Sequence, residues 1–313
     1  LSETTKAPGE GPAPTGPEPT APDPEPGVPE PRQSTPFLVL QFFVFPMAIV
    51  AMCVTVFVVF GLVAGESRGA KEYLGEVRSG GTSRRWQAAF ELSKVLQAGK
   101  DPALKDPQFA ESLTELFRES KKDDPRVRRY LALAMGRLKD PRAVAPLVEA
   151  VTEGQGEGAD AETQIYAVWA LGSIGDPAAL PLLVELSRSA DAGLRKTAVH
   201  ALGSFPTENA RAALRAALSD AVEDVRWNAA IALARQGQGD AAPVLSRVLD
   251  RPYLDKVEGL GPEQREDVLL QAIAVAPAVK EASVQEALAR LREGDPSLKV
   301  REAARKALAA GGP

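Results

Sequence analysis

LRKTAVHALG at residues 194–203 and VRWNAAIALA at 225–234 are one ten-residue pattern written twice, 31 residues apart. TQIYAVWALG (163–172) stands another 31 residues earlier, and VRRYLALAMG (127–136) stands 36 before that. RRWQAAFELS (84–93) precedes them; VLLQAIAVAP (268–277) and VREAARKALA (300–309) follow. Seven anchors thus begin at 84, 127, 163, 194, 225, 268 and 300, and two successive offsets are identical. A period of this size marks a stack of supersecondary units. Counting each anchor's first residue as position 0, positions 0, +4, +7 and +8 are apolar in nearly every copy, one face of an α-helix. Positions +5 and +6 are mostly apolar too: Ala89 and Phe90, Val168 and Trp169, Ala230 and Ile231. A helix apolar on most sides is buried on most sides. Helices stacked in layers meet that condition, and the small Ala and Gly residues let neighbours approach.

A second amphipathic segment follows four of the anchors: DPRAVAPLVEAV (140–151), DPAALPLLVELS (176–187), ENARAALRAALS (208–219) and DAAPVLSRVLD (240–250). In Asp140-Pro141 and Asp176-Pro177 a carboxylate able to accept from free N–H groups precedes a proline suited to the first turn, a helix-start signal. No run combines β-branched alternation with hairpin turns. The expectation is an all-α fold, an α-solenoid of six to seven helical hairpins over 82–313.

The pattern D-x-x-[VL]-R-x-x-A-x-x-A-L-G followed by G-D-P-x-A-x-x-P-L resembles HEAT repeats, in particular the short kind also found in the phycobilisome lyase family. Asp191, Leu194, Arg195, Ala198, Ala201, Leu202 and Gly203 carry the resemblance best, and it extends over about 82–310. It implies an α-solenoid that binds partners along its surface. Gln164 and Leu269 depart from the pattern where arginine is expected, and no Asp stands three residues before the anchors at 225, 268 and 300. The sixth repeat is therefore expected to be irregular.

The chain has 313 residues and a formal charge of −5, of which 1–36 carry −4. That stretch also holds 11 of the 26 prolines and reads as a disordered, extended spacer. Residues 37–65 contain no charged residue. A run of about 20 apolar residues spans a bilayer core, so 37–65 reads as one transmembrane helix. Arg68, Lys71, Arg78, Arg84 and Arg85 flank it on the C-terminal side, against Arg32 on the other. The basic flank stays inside, which predicts a single-pass protein of the cell (inner) membrane with cytoplasmic repeats. Residues 66–81 read as a juxtamembrane linker or short helix. The first residue is Leu1, compatible with a processed, truncated or alternatively initiated product alike.

One Cys and one His leave no disulfide framework and no ordinary zinc site. No basic excess marks a nucleic-acid binder. Phosphate-binding loops, nucleophile elbows and HExxH are absent as well. The reading is therefore a non-enzyme: no catalytic residue, cofactor, metal or small-molecule substrate, and protein partners instead. Position +2 holds Trp86, Arg129, Lys196 and Trp227 and is expected to reach solvent. These four are the candidate partner-binding residues, with packing on a terminus or loop as the other reading of the tryptophans. Trp169 and His200, at +6, are read as packing between repeats. The arginines at +1 are expected to pair with acids such as Asp124, Asp160 or Asp191. Charge is segregated: 118–142 sum to +5 and 143–191 to −7. A membrane-bound scaffold or adaptor is the function these features favour. An accessory subunit of a larger membrane complex is the alternative, and a bilin-lyase-like enzyme is disfavoured.

Overall fold

The computed structural model describes residues 43–64, 68–153, 160–311, and it divides the chain into two units, Leu1–Ser67 and Arg68–Pro313. The tail 1–36, the run 37–42 and most of the glycine-rich insertion 152–160 lie outside the described residues.

Of the first unit, helix α1 (Phe45–Ala64, 20 residues) is described. Its side chains from Phe43 to Val59 are all exposed, among them Phe43, Phe45, Met47, Met52 and Phe57. Among the described residues no helix is long and apolar enough to cross a membrane. The transmembrane span expected over 37–65 is thus not carried by the structure.

The second unit contains α2 (Ala70–Ser79), α3 (Thr82–Gln97), α4 (Pro107–Glu119), α5 (Pro125–Leu138) and α6 (Val144–Glu153). It continues through α7 (Ala161–Ile174), α8 (Leu180–Leu186), α9 (Ala192–Leu202), α10 (Glu208–Ala217) and α11 (Glu223–Arg235). The last are α12 (Ala242–Val248), α13 (Arg251–Leu254), α14 (Pro262–Val275), α15 (Ala282–Gly294) and α16 (Leu298–Ala310). No strand occurs among the described residues. Each of the seven anchors lies on a helix of one layer: α3, α5, α7, α9, α11, α14 and α16. These pack side by side in chain order, while α4, α6, α8, α10, α12 and α15 form the second layer.

The apolar register read from the sequence is the core. Val127, Leu131, Ala134 and Met135 are buried on α5, and Ala198, Ala201 and Leu202 on α9. Ala132, Val168, Val199 and Ala230, all at +5, are fully buried as well, because these helices have neighbours on both flanks. Close approach falls on one register. A Cβ at Gly136 would stand 2.9 Å from Ala170 Cα, one at Gly172 2.6 Å from Ala201 Cα, and one at Gly203 3.0 Å from Ala232 Cβ. All three glycines are at +9, each against the +7 alanine of the next first-layer helix.

Local chemistry starts and stops the helices. Asp106, Asp124, Asp160 and Asp191 accept hydrogen bonds from N–H groups of the first turns of α4, α5, α7 and α9. Asp140 and Asp176 cap 3-10 turns, Pro141–Ala143 and Pro177–Ala179, and α6 and α8 begin one turn later than the Asp-Pro signals imply. Gly175, at φ +73°, ends α7 in the left-handed region.

The +1 arginines do not pair with Asp124, Asp160 or Asp191; Asp124 and Asp160, besides capping their helices, pair with Arg126 and Arg129. Arg195 donates to the carbonyls of Ser189 and Ala190, Arg226 to those of Asp220 and Ala221, and Arg301 to those of Asp295 and Pro296. Each arginine thus ties down the loop five and six residues before it. Arg85 and Arg195 also form two-pronged pairs with Asp123 and Asp220, acids in the loop that leads into the next first-layer helix.

The expected irregularity falls at the sixth repeat, where Leu269 stands in place of arginine. Arg251, on α13 in the insertion DRPYLDKVEGLGP (250–262), supplies the missing guanidinium: its Nε and Nη2 donate to Asp295 at 2.9 Å each. The insertion is built into the body, with Leu254 fully buried.

Candidate functional site

Positions −1, +2, +3, +6 and +10 of each anchor fall within an arc of roughly 100° on the helical wheel, opposite the most buried register. On α3, α5 and α7 this arc carries five aromatic rings. Phe90 and Tyr130 meet edge-on at 5.1 Å between centroids, and Tyr130 and Tyr166 at 6.4 Å. Trp86 and Trp169 belong to the same arc, and both are half-buried. Cations lie over three of the rings: Arg126 over Trp86 at 4.4 Å, Lys94 over Phe90 at 5.1 Å and Arg137 over Trp169 at 4.7 Å. Such contacts hold long side chains against a ring; Arg126 is in addition paired with Asp124, and Lys94 with Glu91. Phe90 remains 37% exposed. The result is an aromatic and cationic stripe crossing three consecutive repeats, and Arg137 on it has no carboxylate partner among the described residues.

The four sequence candidates separate into two places. Trp86 lies on the stripe. So does Arg129, half-buried and held by Asp160 of the next repeat, with Nε to Oδ2 at 2.9 Å, and by Glu162. Lys196 and Trp227 line a different feature, a cleft of about 260 Å³ among α9, α11 and α14. Lys196 is exposed and pairs with Asp224 at 3.0 Å. Trp227, expected at the surface, is only 4% exposed. Tyr253 from the insertion covers it, accepting from the indole N–H at 3.4 Å and donating to Glu223 at 2.7 Å. Of the two +6 residues expected to pack between repeats, Trp169 sits 2.8 Å from where a Cβ on Gly136 would be, and His200 is exposed.

Sequence reasoning read Phe90 as a packing residue at +6 and did not single out Tyr130, Tyr166, Arg126 or Arg137. Their signal was present in the registers, because +3, +6, −1 and +10 share one side of the helix. Treating +2 in isolation concealed it.

The Asp160 carboxyl is held below its ordinary range, chiefly by hydrogen bonds from the Arg129 guanidinium and also from Thr163, against an opposing effect of burial. Its folded pKa is thus below the unfolded value of about 3.9. The stability it lends is complete above that value and is lost as pH falls through it toward the folded pKa. Asp160→Asn is expected to be less stable than the parent at pH 7, with the gap closing as pH falls below about 4. Urea melts at several pH values check this, and a gap that stays constant down to acid would contradict it.

Among the described residues no group of three or more His, Cys, Asp or Glu side chains is placed to hold a metal ion. The family model for HEAT repeats matches residues 113–192, 156–222 and 185–260. No curated protein sequence matches the chain. Among solved structures, the complex of CpcE and CpcF of phycocyanin lyase from Nostoc sp. PCC7120 is 18% identical, with 77% of this chain and 87% of that one covered and a TM-score of 0.53. Human deoxyhypusine hydroxylase is 18% identical over 80% of this chain and 98% of its own, with a TM-score of 0.32. The HEAT-like repeats protein from the archaeon Thermococcus onnurineus NA1 is 14% identical over 78% and 97%, at 0.41.

Proposed function

We propose that this chain, which carries HEAT repeats across residues 113–260, is a binding scaffold that holds a protein partner at the cytoplasmic face of the cell membrane. One observation carries the binding half of the reading: the stripe of Trp86, Phe90, Tyr130, Tyr166 and Trp169 with its arginines. Aromatic residues and arginine are the side chains enriched at interface centres, and the aromatic rings bury large area for little lost rotamer freedom. The membrane half rests on the uncharged run 37–65 and the basic residues after it. At 18% identity the likeness to the CpcE–CpcF pair is one of fold, and it brings no lyase chemistry to this chain.

Crosslinking in isolated membranes, followed by identification of the partner, tests the proposal. Trp86→Ala with Phe90→Ala, and separately Arg137→Glu, are each expected to reduce recovery of the partner by about tenfold or more, with the helical circular-dichroism signal unchanged. Full recovery with both variants would remove the stripe as the docking surface. Loss of recovery only when 37–65 is exchanged for an unrelated apolar helix would assign docking to that segment and favour an accessory subunit. Release of the full chain from membranes by alkaline carbonate would overturn the anchor.

A further inference from the structure

We propose that the cleft among α9, α11 and α14 is a second, separate docking point, one that receives an arginine side chain from an extended segment of a partner protein. The cleft opens where the anchor spacing lengthens from 31 to 43 residues, and Leu260 of the insertion forms part of its wall. At about 260 Å³ it lies below the roughly 300–1,000 Å³ typical of pockets for whole small molecules and suits one long side chain.

The lining specifies which side chain. Ile231, Leu260 and Val268 are apolar, and the ring of Trp227 adds to them, its N–H already directed to Tyr253. Above this surface stand Asp224 and Asp267, both at position −1 of successive anchors, together with Lys196. Lys196 and Asp224 satisfy one another at 3.0 Å. Asp267 has no cationic partner among the described residues, so the cleft holds one carboxylate in excess beside an apolar wall. The exposed amide of Gln271, one helical turn along α14 from Asp267, adds a carbonyl acceptor. An anion entering here meets Asp267, and an apolar side chain leaves that carboxylate without a counter-charge. A bare metal ion finds no three-ligand set. Arginine meets every condition: three methylenes lie along the apolar wall, and the planar fork donates to Asp267 and to the Gln271 carbonyl.

The test uses the full-length chain in detergent micelles and three fluorescein-labelled nonapeptides of Gly, Ser and Ala, each with one central Arg, Gln or Glu. Fluorescence anisotropy is expected to rise on binding for the arginine peptide alone. Asp267→Asn should weaken that peptide by about tenfold, and Asp267→Arg should transfer preference to the glutamate peptide. Asp267 is exposed, so both variants keep the fold, and circular dichroism verifies this. Equal binding of the three peptides, or an arginine peptide indifferent to Asp267→Asn, would overturn the proposal. Loss of binding with Arg137→Glu but not with Asp267→Asn would likewise remove the cleft, while leaving the stripe in place as a docking surface.

Discussion

Replacing Asp295 with alanine lowers the stability of the C-terminal repeats by about 3–5 kcal/mol. The Asp295 side chain is 0% exposed, and its carboxylate takes both Arg251 donors at 2.9 Å and the Ser297 N–H at 2.9 Å. Its backbone carbonyl meanwhile accepts from Arg301. One aspartate therefore joins the insertion, the loop before α16 and the first turn of α16. Truncating it leaves the largely buried Arg251 guanidinium, 16% exposed, without the two oxygens that accept its hydrogen bonds. That penalty, rather than the worth of the pair itself, makes the expected effect large. Removing both charges together, as Arg251→Met with Asp295→Leu, is accordingly expected to cost much less than Asp295→Ala alone. Because repeat stacks can open from an end, amide hydrogen exchange in α14 to α16 is the sensitive readout, with urea melts beside it. A loss within about 0.5 kcal/mol of that from Asp240→Asn, a control on a more exposed pair, would mean that the Arg251–Asp295 link does not hold these repeats together.

The second large effect comes from adding atoms. Gly172→Leu is expected to destabilise the stack by about 3 kcal/mol, and Gly172→Ala by about 1–2 kcal/mol. Alanine has a helix propensity about 1 kcal/mol better than glycine, so a helical glycine with free space around it gains from the exchange. Gly172 has no such space: a Cβ would lie 2.4 Å from Ala201 Cβ and 2.6 Å from Ala201 Cα, and main chain cannot swing aside as a side chain tip does. Gly75 in α2 is the matched control, with nothing within 4 Å of the added atom. Gly75→Ala should stabilise by about 0.5–1 kcal/mol. Opposite signs for one substitution at two helical positions would locate the cost in the packing between α7 and α9. Stabilisation by Gly172→Ala would show that the two helices can move apart freely.

Both effects bear on function, because the stripe and the cleft are each assembled from several repeats. On the proposed reading, a partner spanning α3, α5 and α7 reads the distance and rotation between those helices, which Gly136 sets between α5 and α7. The cleft depends in the same way on the insertion that carries Arg251 and Tyr253. Loosening either device should alter docking before it alters helix content.

The anchors at 84, 127, 163, 194, 225, 268 and 300, their apolar registers and the capping aspartates specify paired helices without reference to anything distant. Helical periodicity and N–H capping are satisfied within a turn or two of the chain, so they can be read from consecutive residues. Arg251 reaching Asp295, Tyr253 covering Trp227, and Phe90, Tyr130 and Tyr166 joining into one line are of another kind. Each depends on how far one repeat turns relative to the next and on where an insertion folds back, and those are decided by side chains meeting across 26 to 44 positions. Tertiary packing alone therefore determined which half-exposed residues share a surface, since the energy that selects that arrangement exists only once the helices are in contact.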